Sequence, residues 1–282
     1  MALKEIFIRE TRDTILSKRF LLYLTLLFLP LIMNVWFSWM MYKDPSIIQE
    51  MTSFLPDPIL IVNPMICMMS YLDMATFSIA LIAVLHSSDF IAGEQSRGML
   101  TLLVSKPLHR WELIVGKYFS FMIVFLPLLT LNILLMAVSI NIIGIGTVEG
   151  DLVGGYTFAV LFYGIVFTSI GTLFSVLSKR PSVASLGTMI FLILWMIFDF
   201  MNIYLPQTTA DLLNTFSLSH YINKVLGFIS NGKAGIFVTG GILEDPSIEI
   251  FITSLFAILV ILTLIPVLLS VIILQKKDIK NR

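Results

Sequence analysis

The sequence has few of the residues on which many enzymes and metalloproteins depend. It contains one cysteine, Cys67, and three histidines among 282 residues. A single cysteine excludes an internal disulfide and a cysteine-cluster metal site. His86, His109 and His220 lie on separate segments, without the spacing of a metal or protease motif. No HExxH or GxSxG sequence occurs, so the usual membrane-protease and hydrolase signatures are absent and we do not expect an enzyme.

Charge is also scarce. Charged residues make up 13% of the chain, and 18 basic residues balance 18 acidic ones. A zero net charge gives no reason to expect a nucleic-acid partner. Hydrophobic residues reach 57%, above the roughly 45–50% of soluble domains. The composition therefore predicts an all-α integral membrane protein surrounded by the lipid bilayer.

One segment has part of a nucleotide-binding motif. GFISNGKA, residues 227–234, has the spacing of a phosphate-binding loop, but Ala234 stands where Ser or Thr would hold magnesium. No buried strand precedes it, and the charge pattern below places it outside the cell. We therefore expect no cofactor on this chain.

Six apolar runs are long enough to cross a bilayer about 30 Å thick as helices. They cover residues 20–42, 65–86, 118–145, 152–177, 183–205 and 250–274. An even number of spans places both termini on one side. Fifteen Lys and Arg residues then fall on the side of the termini and three on the other, so both termini are predicted to be cytoplasmic.

The segments between the spans suggest one domain over residues 1–282, without repeats or low-complexity tracts. Residues 1–19 have the pattern of an amphipathic helix lying on the inner leaflet, although an ordinary basic flank is the alternative. Residues 87–117 are predicted to lie inside the cell. Residues 206–249 form the longer outer segment.

Polar residues within the spans are candidates for a transport pathway. Ser70, Asp73 and Thr76 recur at three-residue spacing on one helix face. A carboxylate near mid-membrane costs roughly 2.5–3.5 kcal/mol on insertion scales, so Asp73 should face a cavity or a partner. A bond to a neighbouring helix and a pathway role both remain open. Asp199 and Asn202 on the fifth span pose the same question more weakly.

Cys67, Met68 and Met69 begin the second span. Soft sulfur ligands suit Cu(I), but methionine is also a flexible apolar filler in helical cores. Both interpretations stay open here. On the fourth span, Gly164, Thr168, Gly171, Thr172 and Ser175 share one face, which predicts close packing of another helix.

The segment between spans two and three carries a motif. It is charged at first, then apolar at residues 99–104, then broken by Pro107. An apolar face outside the membrane would need a protein groove to cover it. The segment resembles the cytoplasmic signature of type-2 ABC exporter permeases, with eight residues matching in order: Asp89, Gly93, Glu94, Gly98, Pro107, Arg110, Gly116 and Lys117. The layout of the whole chain is similar to that family, and in length also to its NosY-type permeases.

The resemblance implies an ABC exporter in which two permeases, expected to be a homodimer, form the pathway. Two separate ATPase subunits would bind ATP and Mg beneath them, in a prokaryotic cell membrane. It places a coupling helix near residues 94–104 and a pathway along spans two and five. The residues expected to dock the ATPase are Glu94, Gly98, Met99, Leu100, Leu103, Pro107, Arg110, Lys179 and Arg180.

Two other functions remain open. Asp73 could serve as an ion carrier in a secondary transporter, although the two halves of the chain lack matching helix interruptions. Alternatively, the chain could be a non-transporting subunit that passes ATPase motion to an outer partner through residues 206–249.

Overall fold

The computed structural model describes residues 2–44, 46, 63–98, 110–201, 217–229 and 248–276. These described residues form helices and contain no strand. The helices are α1 Ala2–Leu16, α2 Lys18–Lys43, α3 Pro64–Ser87, α4 Ala92–Ser96, α5 Arg110–Ile143, α6 Gly150–Leu177, α7 Pro181–Met201, α8 Leu218–Ile229, α9 Ile248–Phe256, a π-helix Ala257–Leu264, and α10 Ile265–Lys276.

Five helices in the described part of the chain are long and apolar enough to cross a membrane. They are α2, α3, α5, α6 and the continuous helix that ends at Lys276. The all-α membrane class is thereby confirmed. The predicted fifth span corresponds to α7, whose apolar stretch, Pro181–Ile197, is shorter than the others. The count of six spans therefore stays a prediction.

The first two helices meet at Ser17. Its hydroxyl accepts a hydrogen bond from the Phe20 backbone N–H at 3.2 Å and donates one to the Thr14 carbonyl at 2.8 Å. This is the N-cap arrangement that starts a new helix. The structure therefore has a separate N-terminal helix, which packs against α5, and its predicted position on the inner leaflet stays a prediction.

Helix α5 begins eight residues before the predicted third span. The prediction started after Lys117 because a charge normally marks the membrane boundary. In the structure Lys117 is neutralised by carboxylates, and Leu113 and Ile114 just before it are buried. The helix therefore continues through the charged position.

Helix α6 lies at the centre and packs against α3, α5, α7, α8 and α10. A Cβ added at Gly171 would lie 1.8 Å from Ser87 Oγ, and one added at Gly164 would lie 3.0 Å from Leu129 Cδ1. Thr168 and Thr172 of the same small-residue face are fully buried. The small-residue face therefore lets α3 and α5 approach α6 closely.

The last membrane helix contains the π-helical turn Ala257–Leu264. The Ile265 N–H donates to the Val260 carbonyl, five residues back, and Thr263 Oγ donates to the Ile258 carbonyl at 3.0 Å. Pro266 follows, and a proline has no N–H and clashes with the carbonyl four residues before it. The wider turns accommodate this proline within the span.

The outer segment contains the amphipathic helix α8, which packs on α6 and α9. Tyr163 and Ser219 hydroxyls lie 2.9 Å apart and join α6 to α8. Partial burial lowers the pKa of Lys224 on this helix, because desolvation penalises its charged form. The rest of the segment lies outside the described residues.

Candidate functional site: the charged end of the bundle

A buried cluster of charges joins three elements at one end of the bundle. Lys117 Nζ of α5 lies 3.1 Å from Glu94 Oε1 of α4 and 3.2 Å from Glu10 Oε1 of α1. Lys117 is 5% exposed and Glu94 8%. Buried charges of this kind are stable only when paired and hydrogen-bonded. We call Glu10, Glu94 and Lys117 the buried charge cluster.

The second carboxylate oxygen of Glu94, Oε2, is buried without a hydrogen-bond partner among the described residues. One lysine therefore serves two carboxylates, and one carboxylate oxygen is left unsatisfied. Such an arrangement is held by the surrounding packing and is sensitive to a small displacement of any member.

A second group of ion pairs lies beside the first. Asp89 contacts the guanidinium of Arg19 at the start of α2, and its Oδ2 lies 3.6 Å from Arg97 Nη2 after α4. Both arginine side chains are more than half exposed. Exposed pairs contribute about 0–1 kcal/mol, so this group orients the chain more than it stabilises it.

One hydroxyl of α6 holds the turn before α4. Ser175 Oγ accepts hydrogen bonds from the backbone N–H groups of Ile91 at 3.0 Å and Ala92 at 3.1 Å. It donates to the Ser88 carbonyl at 2.8 Å. A serine hydroxyl can donate one hydrogen bond and accept two, so all three of its hydrogen bonds are formed here. The sequence pattern assigned Ser175 to packing and gave no signal of this role.

The structure explains why glycine occupies two positions of the signature. A Cβ on Gly93 would lie 2.9 Å from Asp89 Oδ1, so a larger residue would displace that carboxylate. Gly98 has a φ of +70°, a left-handed conformation that favours glycine and ends a right-handed helix. Residues 99–104 of the predicted coupling helix lie outside the described residues, so its extent beyond Gly98 stays a prediction. The described helix covers Ala92–Ser96 and ends before Gly98.

Only some of the residues predicted to dock the ATPase lie in the described part of the chain. Glu94 is buried in the cluster, Gly98 is exposed, and Lys179 and Arg180 are exposed between α6 and α7. Arg110 begins α5. Met99, Leu100, Leu103 and Pro107 lie outside the described residues. Docking at all of these positions stays a prediction.

Of the predicted polar stripe on α3, Ser70 and Thr76 form hydrogen bonds, whereas Asp73 forms none with the described residues. The Asn34 amide lies 2.7 Å from Ser70 Oγ, and Thr76 Oγ1 donates to the Leu72 carbonyl at 2.6 Å. Asp73 is half-buried and has no hydrogen-bond or ion-pair partner within the described part of the chain. A carboxylate within a span is expected to face a partner or a cavity, and none of the described residues is a partner of Asp73.

The other pathway candidates are less well described. Asp199 lies in the last turns of α7, and nothing is described of its side chain; Asn202 lies outside the described residues.

On α3, the sulfur residues Cys67, Met68 and Met69 belong to the buried hydrophobic core. Among the described residues, no group of three or more His, Cys, Asp or Glu side chains converges on a point. The copper interpretation gains no support from this placement.

Buried polar contacts between spans were missed by the sequence analysis. Tyr71 Oη of α3 donates to Asn132 Oδ1 of α5 at 3.1 Å, and Asn34 of α2 is fully buried against α3. Each residue occurs singly within an apolar run. Because they do not recur at helical spacing, the sequence pattern did not indicate these contacts.

The described elements form a polytopic α-helical membrane protein with a charged cluster at one end. A scan against family models matches residues 5–279 to the ABC-2 family transporter proteins. The chain belongs to this family and is a membrane permease subunit of an ABC transporter, a class that pairs with an ABC ATPase. No curated protein matches the sequence significantly.

Proposed function

We propose that this chain is the membrane subunit of an ATP-driven exporter that works as a homodimer with two separate ATPase subunits. The observation that carries the proposal is the Lys117–Glu94 pair at 3.1 Å. It fixes α4, where the coupling helix predicted near residues 94–104 begins, to a long membrane helix. A displacement of this predicted docking segment would therefore be passed to α5.

The same connection extends to two other helices. Glu10 links the cluster to α1, and Ser175 links the turn before α4 to α6. Closure of the ATPase dimer by ATP would move the docking segment, and these contacts would carry the motion into the bundle. Only a difference in binding between the two ATPase states drives such a change.

The proposed orientation places the charged end in the cytoplasm. The start of α2, the turn after α3, the start of α5 and the end of α6 meet there through Arg19, Asp89, Lys117 and Ser175. The excess of Lys and Arg on the corresponding loops supports this side. The ATPase subunits would then have access to the signature segment.

The pathway is proposed to pass α3. Asp73 supports this, since it has no partner among the described residues although a carboxylate in a span is costly. In the dimer it would face the substrate route or the second permease. An ion-driven transporter would use Asp73 without any ATPase, and the experiment below separates the two.

The test is purification of the tagged permease from its native cells, with detection of any ABC ATPase subunit that is retained. We expect the wild type to retain the ATPase and Leu100→Asp/Leu103→Asp to lose it, because a charge cannot enter an apolar groove unpaired. Leu100→Met/Leu103→Met is the matched control and should retain it. Equal ATPase yield with the Asp and Met variants would contradict docking through this segment. Absence of any ATPase from the wild type would favour the ion-driven alternative.

A further inference from the structure

An apolar groove lies in the angle between α1 and the membrane helices. It has a volume of about 460 Å³ and is lined by Phe7, Thr11, Ile15, Phe20, Ile123, Val124, Pro127 and Leu128. Seven of these eight side chains are apolar. The groove therefore offers a surface for a hydrocarbon ligand and almost no hydrogen-bonding groups.

The groove is open at the surface of the bundle, and Ile123 on one wall belongs to a candidate membrane span. Ile15 on one wall is 46% exposed and Ile123 on the other is 56% exposed. Ile123 lies six residues past Lys117 along α5, and at 1.5 Å per residue this is a depth of about 9 Å from the charged end. Water is absent from the hydrocarbon region, so a lipid chain is the molecule available to fill the groove there.

Two cations are close in the sequence to residues that line the groove. Arg12 is next to the lining residue Thr11, and Lys18 is two residues before Phe20. Both are exposed, and neither has a hydrogen-bond or ion-pair partner among the described residues. Asp13 also lies on α1, about 100° around the helix from Arg12, and Arg9 is already paired with Glu10 at 3.1 Å. Arg12 and Lys18 together with Asp13 therefore leave a net charge of +1 in this region.

We propose that this groove is a binding site for an anionic phospholipid. One acyl chain occupies the groove between α1 and α5, and the headgroup phosphate contacts Arg12 and Lys18. The lipid would hold α1 against α5, beside the Glu10–Lys117 contact. The proposal does not depend on the direction of transport or on the identity of the substrate.

The test measures lipid binding to delipidated protein by native mass spectrometry, with phosphatidylglycerol and phosphatidylcholine as the probes. A basic residue near a membrane surface favours anionic lipid by about 1 kcal/mol, roughly fivefold. Arg12→Gln/Lys18→Gln should therefore reduce the preference for phosphatidylglycerol by about 25-fold. Lys276→Gln, at the exposed end of α10, is the matched control and should keep the wild-type preference.

A second pair of variants tests the groove itself. Val124→Trp fills it and should weaken binding of both lipids, whereas Val138→Trp, exposed on the same helix away from the groove, should not. The proposal is overturned if Arg12→Gln/Lys18→Gln keeps the preference, if Lys276→Gln loses as much, or if Val124→Trp binds both lipids normally. It is also overturned if Val124→Trp dissociates an oligomer while lipid binding is unchanged, because a second copy of the chain then occupies the groove.

Discussion

Lys117→Met tests the buried charge cluster most severely. Methionine has nearly the length of lysine without its charge, so the change removes the cation and leaves the packing largely intact. Glu94, whose Oε1 lies 3.1 Å from the lysine Nζ, would then be a buried carboxylate without its cation, whereas the partly exposed Glu10 would keep its pair with Arg9. Removing one partner of a buried ion pair costs about 3–5 kcal/mol. We expect a loss of stability of this size.

Glu94→Gln should cost much less. Lys117 keeps Glu10 as its partner in that variant, and the loss is that of one charged hydrogen bond, about 1.5–3 kcal/mol. In Lys117→Met/Glu94→Gln the uncompensated charge on Glu94 is absent. The double variant should therefore be more stable than the sum of the single effects predicts, by at least about 1 kcal/mol.

The assay is reversible unfolding of the purified protein in mixed micelles, followed by circular dichroism, for the wild type and the three variants. Arg97→Gln is the control from the neighbouring exposed pair with Asp89 and should cost at most about 1 kcal/mol. Two results would refute the reasoning. One is wild-type stability in Lys117→Met, and the other is strict additivity in the double variant.

Three further predictions concern packing, the pathway and topology. Gly171→Ala should destabilise the fold by about 1–3 kcal/mol, because its Cβ would lie 1.8 Å from Ser87 Oγ, whereas Gly154→Ala, with its nearest such neighbour at 4.0 Å, should not. Equal melting temperatures for the two would contradict the close approach of α3 and α6. Asp73→Asn should leave complex yield unchanged and alter the pH dependence of substrate-stimulated ATPase activity in liposomes, since it removes a charge where the substrate is proposed to pass; a normal pH profile would return Asp73 to a structural role. Asp44→Cys and Gly232→Cys should react with an impermeant thiol reagent in sealed cells and Lys106→Cys should not; labelling of Lys106→Cys would reverse the orientation.

The sequence predicted the helices best where apolar length alone decides. Spans two and four are observed within two residues of their predicted ends, because long apolar runs in a membrane have no alternative to helix. The start of α5 was misplaced because hydropathy treats Lys117 as a boundary and cannot see the two carboxylates that neutralise it. A pairing between residues 10, 94 and 117 depends on tertiary structure and leaves no local pattern.

In the signature segment, too, the sequence predicted some features, whereas others depend on tertiary structure. Its order of residues indicated the family, which the match over residues 5–279 confirms. Glu94 was expected on a docking face, yet its carboxylate is buried against Lys117. The break at Gly98 is a backbone property, since a glycine within a helical pattern allows either conformation. The role of Ser175 could not be predicted, because its partners are backbone groups of a distant turn.

Site-specific photo-crosslinking tests the central claim most directly, that the charged end of this permease receives the ATPase. A photoreactive amino acid would replace Ser96, exposed at the end of α4, in cells that also express the ABC ATPase partner. The matched position is Trp39, which is 44% exposed near the opposite end of α2. The account predicts a crosslink to the ATPase from position 96 and none from position 39. A crosslink from position 39 with none from position 96 would contradict it.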